Sequence, residues 1–247
     1  MAVLILLFAL LVPPRPSPNV DIGDADFFRI DYPAAVAAYE SALKQTPDDP
    51  EILWRLARVY VCLGEVADER HRVPLFKTAE SYARRCIQVD SLNGEGHTWL
   101  AGALGYAALY EGIGEQVSLS HELLKEVTRA LAINPEDDIA YSIKGSFYRA
   151  LGNVGWLQRQ LAKLFVGSIP DGGYEESEGA LKRAVALAPD VMRHQYELGI
   201  LYIDMGRKAE AREILERAAL LPVRTAIDRP RLEKIHELLA ILRPSGQ

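Results

Sequence analysis

The residue types that most often carry chemistry are present in this 247-residue chain but are not arranged for it. The histidines His71, His97, His121, His194 and His236 are scattered singly. His121-Glu122 opens a His-Glu-x-x-His zinc pattern, yet Lys125 stands where the second histidine is needed. Cys62 and Cys86 fall at small apolar positions, which suits buried thiols acting as small hydrophobes. The glycine-rich pieces at 94–105 and 112–114 follow no strand and lack the lysine of a phosphate loop, and there is no nucleophile elbow. Glu175 and Glu176 open a helix, where acids meet the positive end of the helix dipole. The expectation is therefore a protein with no catalytic site, no metal and no cofactor. Recognition remains. Arg58, Arg149 and Arg193 carry planar forks that suit a carboxylate or phosphate, and Trp54 and Tyr196 offer flat apolar walls, with Ser142 and Ser146 completing the set. Without a partner, the same residues are the ordinary exposed face of a scaffold.

These residues act together only if the chain brings them to one face, and its repeats do so. A helix rich in small residues recurs, closed by a proline and acids: Ala35, Tyr39, Ala42 and Pro47; Ala130 and Pro135; Ala184 and Pro189; Ala211, Leu215, Ala218 and Pro222. A second pattern opens each unit: Leu53, Leu56, Ala57, Tyr60 and Gly64; Tyr141, Gly145, Tyr148 and Gly152; Leu198, Gly199, Tyr202 and Gly206. This resembles the tetratricopeptide repeat, whose period is about 34 residues. Pro135 lies two periods and about 20 residues after Pro47, Pro189 one period and about 20 residues after Pro135, and Pro222 nearly one period after Pro189. Four units follow, from about Pro50, Gly94, Asp138 and Met192, with extra residues at 64–79, 104–123 and 152–177. A helix at 31–45 with a weak partner at 21–29 precedes them, and a capping helix at 229–242 follows. The fold class is all-α, a solenoid of helical hairpins. Small residues such as Ala57, Ala101, Gly145 and Gly199 let helices cross closely, and the prolines stop the second helices. Asp48, Glu136 and Asp190 are expected to cap the helices that follow. One hairpin cannot bury its apolar face alone; stacking does so. In such a stack the first helices line a concave face, which collects Trp54, Arg58, Ser142, Ser146, Arg149, Arg193 and Tyr196.

Composition limits the partners. Hydrophobic content of 49% and charged content of 25% are those of a globular chain. A net charge of −6 argues against a general nucleic-acid binder, which needs a basic surface. Residues 2–12 form an unbroken apolar run, followed by Pro13, Pro14, Pro16 and Pro18. Eleven helical residues cannot cross a hydrocarbon core of roughly 30 Å. The length suits an export signal, although no basic residue precedes it, so residues 1–18 are read as a signal-like segment and stiff linker ahead of a domain at 19–247. Export to a compartment such as the periplasm follows from that reading; a membrane-tethered or cytoplasmic chain follows if the segment is not a signal.

Residues 156–165, WLQRQLAKLF, break the repeat. Leu157, Leu161, Leu164 and Phe165 fall on one helical face, while Arg159, Gln160 and Lys163 lie off it. The expectation is an extra amphipathic helix, inserted between the two halves of a hairpin, whose leucine face packs over the repeats. Together with EILWRLAR at 51–58, YARRC at 82–86 and YEGIG at 110–114, this stretch is similar to the regulator of microtubule dynamics family, with Trp156, Gln158, Arg159, Leu161 and Phe165 as its least generic part. The resemblance covers residues 25–242 and implies a helical-repeat protein. It also implies association with microtubules or spindle poles in eukaryotic members, and phospholipid binding by the repeat domain of one member at organelle contacts. Two functions are thus expected as alternatives. One is a scaffold holding a protein or peptide in the concave groove. The other is a phospholipid-binding module with an apolar cavity under the 156–165 helix.

Overall fold

Five helices begin where the sequence supplies a side-chain oxygen to hold one of their first N–H groups. Asp31, Asp49, Asp68, Asn93 and Asp137 each accept a backbone N–H two or three residues onward. Two of these caps come one residue later than expected: Asp49 and Asp137 do the work foreseen for Asp48 and Glu136. The helix after Pro189 starts at Met192 with no side-chain cap, so Asp190 does not serve as one. The structure, a computed structural model, describes residues 18–165 and 167–243. The apolar run at 2–12 and the linker prolines before Pro18 lie outside the described residues, and Pro18 itself opens the first helix.

The chain is all-α. Helices α1 (Pro18–Phe28) and α2 (Tyr32–Gln45) form a first hairpin, α3 (Pro50–Val66) and α4 (Glu69–Val89) a second, and α5 (Gly94–Ala108) and α6 (Ile113–Ile133) a third. Helix α7 (Asp138–Gly152) pairs with α9 (Tyr174–Leu187), and α8 (Trp156–Phe165) is inserted between them. Helices α10 (Met192–Asp204) and α11 (Lys208–Ala218) make the last hairpin, and α12 (Asp228–Ile241) covers its end. The extra residues near 64–79 and 104–123 do not form separate insertions. They lengthen α4 and α6 to 21 residues each, because their apolar periodicity continues that of the helices they join. None of the described helices is long and apolar enough to cross a membrane.

Close helix crossing needs small residues, and Gly199 shows why. A β-carbon there would lie 2.6 Å from Leu215 Cδ2, so a larger residue would push α10 away from α11. Gly145 meets Leu181 of α9 in the same way. The cores of successive hairpins follow one another through Leu53, Leu56, Leu100, Leu104, Leu181, Leu201, Leu215 and Ile235, all fully buried. The first helices pack side by side, α3 on α5, α5 on α7 and α7 on α10, and form the inner wall. The stack then curls until its two halves touch. Arg193 of α10 donates to Glu65 of α3 at 2.9 Å and to Tyr106 of α5 at 2.5 Å. The backbone N–H of Ala226, before α12, donates to the Tyr32 hydroxyl of α2 at 3.0 Å.

Candidate functional site

The arginines expected to line a groove are already engaged within the chain. Arg58 donates to Asp24 and to the Tyr39 hydroxyl, each at 3.2 Å, and stacks over Phe27 at 3.8 Å. Helix α1 therefore covers the place where an open groove would leave Arg58 free. Trp54 is buried beside it and donates its indole N–H to Glu51 at 3.1 Å. Arg149 reaches Glu197 at 3.4 Å and Asp204 at 3.1 Å. Arg193 is held by Glu65 and Tyr106. Burial opposes the charge of Arg193, and Tyr106, Glu65 and Glu197 outweigh that cost, so its pKa is raised. Burial, with Glu65 adding, holds the Tyr106 phenol well above its ordinary value. Ser142 is buried within the α7 packing, and Tyr196 packs at α12 under Arg231. The expected set thus divides. Ser146, Arg149 and Arg193 meet at one cavity, while Trp54 and Arg58 belong to the α1 end, and Ser142 and Tyr196 to helix packing.

That cavity measures about 680 Å³ and lies between α5, α6 and α7, with α8 and α10 at its margins. Its floor is made of small residues, Ala101, Gly102, Gly105 and Ala108, all from α5. Its walls are apolar: Leu109, Ile113, Val117, Leu119 and Leu123 from the α5–α6 side, and Ile143, Phe147 and Leu151 from α7. The polar lining is Gln116 and Ser120 of α6, Ser146 and Arg149 of α7, Gln158 of α8 and Arg193 and Glu197 of α10, and its guanidinium groups are ion-paired. Leu109 is 70% exposed and Ile113 is also exposed, so the apolar wall continues out to solvent at the α5–α6 turn. The residues missing from the expected site are therefore those of α5 and α6. The signal was present in the small residues of GALGYAAL at 102–109, which leave room where neighbouring units carry larger side chains.

The inserted helix borders this cavity. Gln158 faces it, and its side chain also accepts the Gly155 N–H at 2.8 Å, which caps the start of α8. Arg159 ties the insertion down by donating to the carbonyls of Leu151 at 2.6 Å, Gly172 at 3.2 Å and Pro170 at 3.4 Å. Ala162 is buried. Leu164, expected on the packing face, is instead 76% exposed. The side chains of Trp156, Leu157, Leu161, Lys163 and Phe165 lie outside the described residues. Among the described residues, no group of three or more His, Cys, Asp or Glu side chains is placed to hold a metal ion. Cys62 and Cys86 are buried, and burial pushes each thiol up to about 12. Glu95 is open to solvent at the surface and accepts the Trp99 indole N–H at 3.0 Å; partial desolvation by the surrounding protein, and then Asp137, hold its carboxyl above the usual range.

Comparisons with known proteins agree with this architecture. Among solved structures, a thermophilic tetratricopeptide-repeat protein from Thermus thermophilus superposes with a TM-score of 0.67 at 23% identity, covering 89% of this chain and 97% of that one. The type IV pilus biogenesis factor PilW superposes with a TM-score of 0.54 at 19% identity, covering 90% and 84%. Both likenesses concern the fold alone. In sequence, regulator of microtubule dynamics protein 2 of Mus musculus is 25% identical over 201 residues, 79% of this chain and 48% of the relative. Protein 1 of Bos taurus is 27% identical over 186 residues, 74% and 58%, and protein 3 of Xenopus laevis 28% over 194 residues, 78% and 42%. The chain spans about half the length of the curated relatives it matches. The model of the family "Regulator of microtubule dynamics protein 1-3" matches residues 25–243, nearly the whole helical stack with α8 inside it, and this helical-repeat chain belongs to that family.

Proposed function

We propose that the protein is a non-enzymatic scaffold that holds a protein partner by an apolar segment seated in the cavity between α5, α6 and α7. The observation that supports this is the cavity itself: about 680 Å³, floored by small residues, walled by aliphatic and aromatic side chains, and continuous with exposed Leu109 and Ile113. The groove arginines support a narrower role than anion capture, since Arg58, Arg149 and Arg193 already hold carboxylates of the same chain. An incoming anion would have to displace those partners. Apolar burial has no such competitor and contributes about 25 cal/mol per Å² removed from water. Filling the cavity tests the reading. Ala108→Phe and Ser146→Phe should remove the same proteins from affinity capture in cells that make the chain, while Arg58→Glu should not. Capture unaffected by both filling changes would overturn it.

The same cavity favours one second reading, an amphiphile such as a phospholipid. Its volume lies in the roughly 300–1,000 Å³ range of small-molecule pockets, and its lining sets a few polar side chains, Gln116, Ser120, Ser146 and Gln158 among them, into a mostly apolar wall. Native mass spectrometry of the purified chain separates the two, because a bound lipid adds a discrete mass that Ala108→Phe removes. The export reading of residues 2–12 is a separate proposal, tested by sequencing the N-terminus of the mature protein.

A further inference from the structure

The lip of the cavity carries a second kind of information, its charge. We infer that the partner segment is a basic amphipathic helix, with its apolar face against Leu109, Tyr110 and Ile113 and its lysines or arginines beside Glu115. This inference rests on the proposed function, because it specifies the partner of the same site.

The helical form follows from backbone accounting. The described residues contain no strand, so no sheet edge is available to pair an incoming extended segment. A helix seated on this lip satisfies its own N–H and C=O groups and needs no such edge. The apolar face follows from exposure. Leu109, Tyr110 and Ile113 are large exposed residues within a single turn of chain, and the first and last of them also line the cavity. A helix presenting apolar residues at i, i+3, i+4 and i+7 can cover the lip and send one residue inward.

The basic face follows from the acids around the lip. Glu111 and Glu115 flank Ile113. Glu111 is paired with Lys77 at 3.6 Å, and no basic side chain among the described residues pairs with exposed Glu115. The bases that border the cavity are committed: Arg149 to Glu197 and Asp204, and Arg193 to Glu65. Arg159, beside it on α8, is spent on backbone carbonyls. With a net charge of −6, the chain as a whole also repels an acidic segment.

Two synthetic amphipathic helices test this on the full chain, one of leucine and lysine and one of leucine and glutamate, each followed by fluorescence anisotropy. The expected result is binding of the leucine–lysine helix that weakens with salt, at least about tenfold loss with Ala108→Phe, and about two- to fivefold loss with Glu115→Lys at low salt. The leucine–glutamate helix should bind more weakly than the leucine–lysine helix to the parent and gain affinity with Glu115→Lys. Equal binding of both helices, lost on Ala108→Phe but untouched by Glu115→Lys, would leave the cavity reading standing and remove the charge inference. Binding that ignores Ala108→Phe places the peptide elsewhere and overturns the inference. Binding of neither helix overturns the inference, and the capture experiment with Ala108→Phe and Ser146→Phe then decides the cavity reading by itself.

Discussion

Replacing Arg193 by leucine should cost more than any other single change on the concave face. The guanidinium joins α10 to Glu65 of α3 and to Tyr106 of α5, across more than half the chain. Glu65 is 5% exposed, so without Arg193 its carboxylate stays buried with no cation. Removing one partner of a fully buried pair typically costs about 3–5 kcal/mol. Arg193 is 20% exposed, which lets water replace part of the lost interaction and lowers the expectation to roughly 2–4 kcal/mol. The companion variant Glu65→Leu/Arg193→Leu removes both charges and should cost no more than Arg193→Leu alone, the remaining loss of about 1–3 kcal/mol being the buried Tyr106 hydroxyl left without either partner. Urea denaturation followed by tryptophan fluorescence and by circular dichroism measures both. The two probes should also separate in Arg193→Leu, because the halves lose their main polar connection while each keeps its own stacked core. A cost below about 1 kcal/mol, or a double variant whose loss equals the sum of the singles, would refute the claim that this pair closes the superhelix.

Three further outcomes follow from the same geometry. Glu95→Gln should leave the protein at least as stable as the parent at pH 7, measured by urea midpoint. The folded state holds the Glu95 proton more tightly than the unfolded chain, so this group's contribution falls as pH rises from the ordinary carboxylate value through the raised one, and glutamine removes that slope. Neither cysteine should react with a thiol reagent in the native protein at pH 8, and two should react after unfolding in urea; burial and thiols pushed up to about 12 both suppress the thiolate. Arg159→Ala should accelerate proteolysis within residues 166–173, because three carbonyl contacts that fasten the insertion depend on that side chain.

Much of the fold is readable from residue spacing. The recurring proline and the glycines at helix crossings locate the hairpins, and α12 begins within one residue of its expected start. Apolar periodicity cannot distinguish a lengthened helix from an inserted one, which is why α4 and α6 absorb residues that looked like insertions. The site was less legible. Register alone places Arg58 on an inner face, but not Asp24 and Phe27 of α1 upon it, because that contact depends on how α1 docks. The curl of the stack likewise decides that Arg193 meets Glu65, a partner 128 positions away. The cavity forms where small residues of α5 face α6 and α7, and only the packed structure shows the gap left among the described side chains.

Site-specific photocrosslinking is the most direct test of the proposed cavity site. A benzophenone amino acid at Ser146, inside the cavity, is compared with one at Leu92, an exposed residue of the α4–α5 turn that does not line it. After irradiation of cells that make the protein, position 146 should give a discrete protein adduct, position 92 should not, and Ala108→Phe should abolish the adduct. An adduct of lipid mass at 146 would move the assignment to the amphiphile reading, and adducts no stronger at 146 than at 92 would contradict the cavity as a binding site.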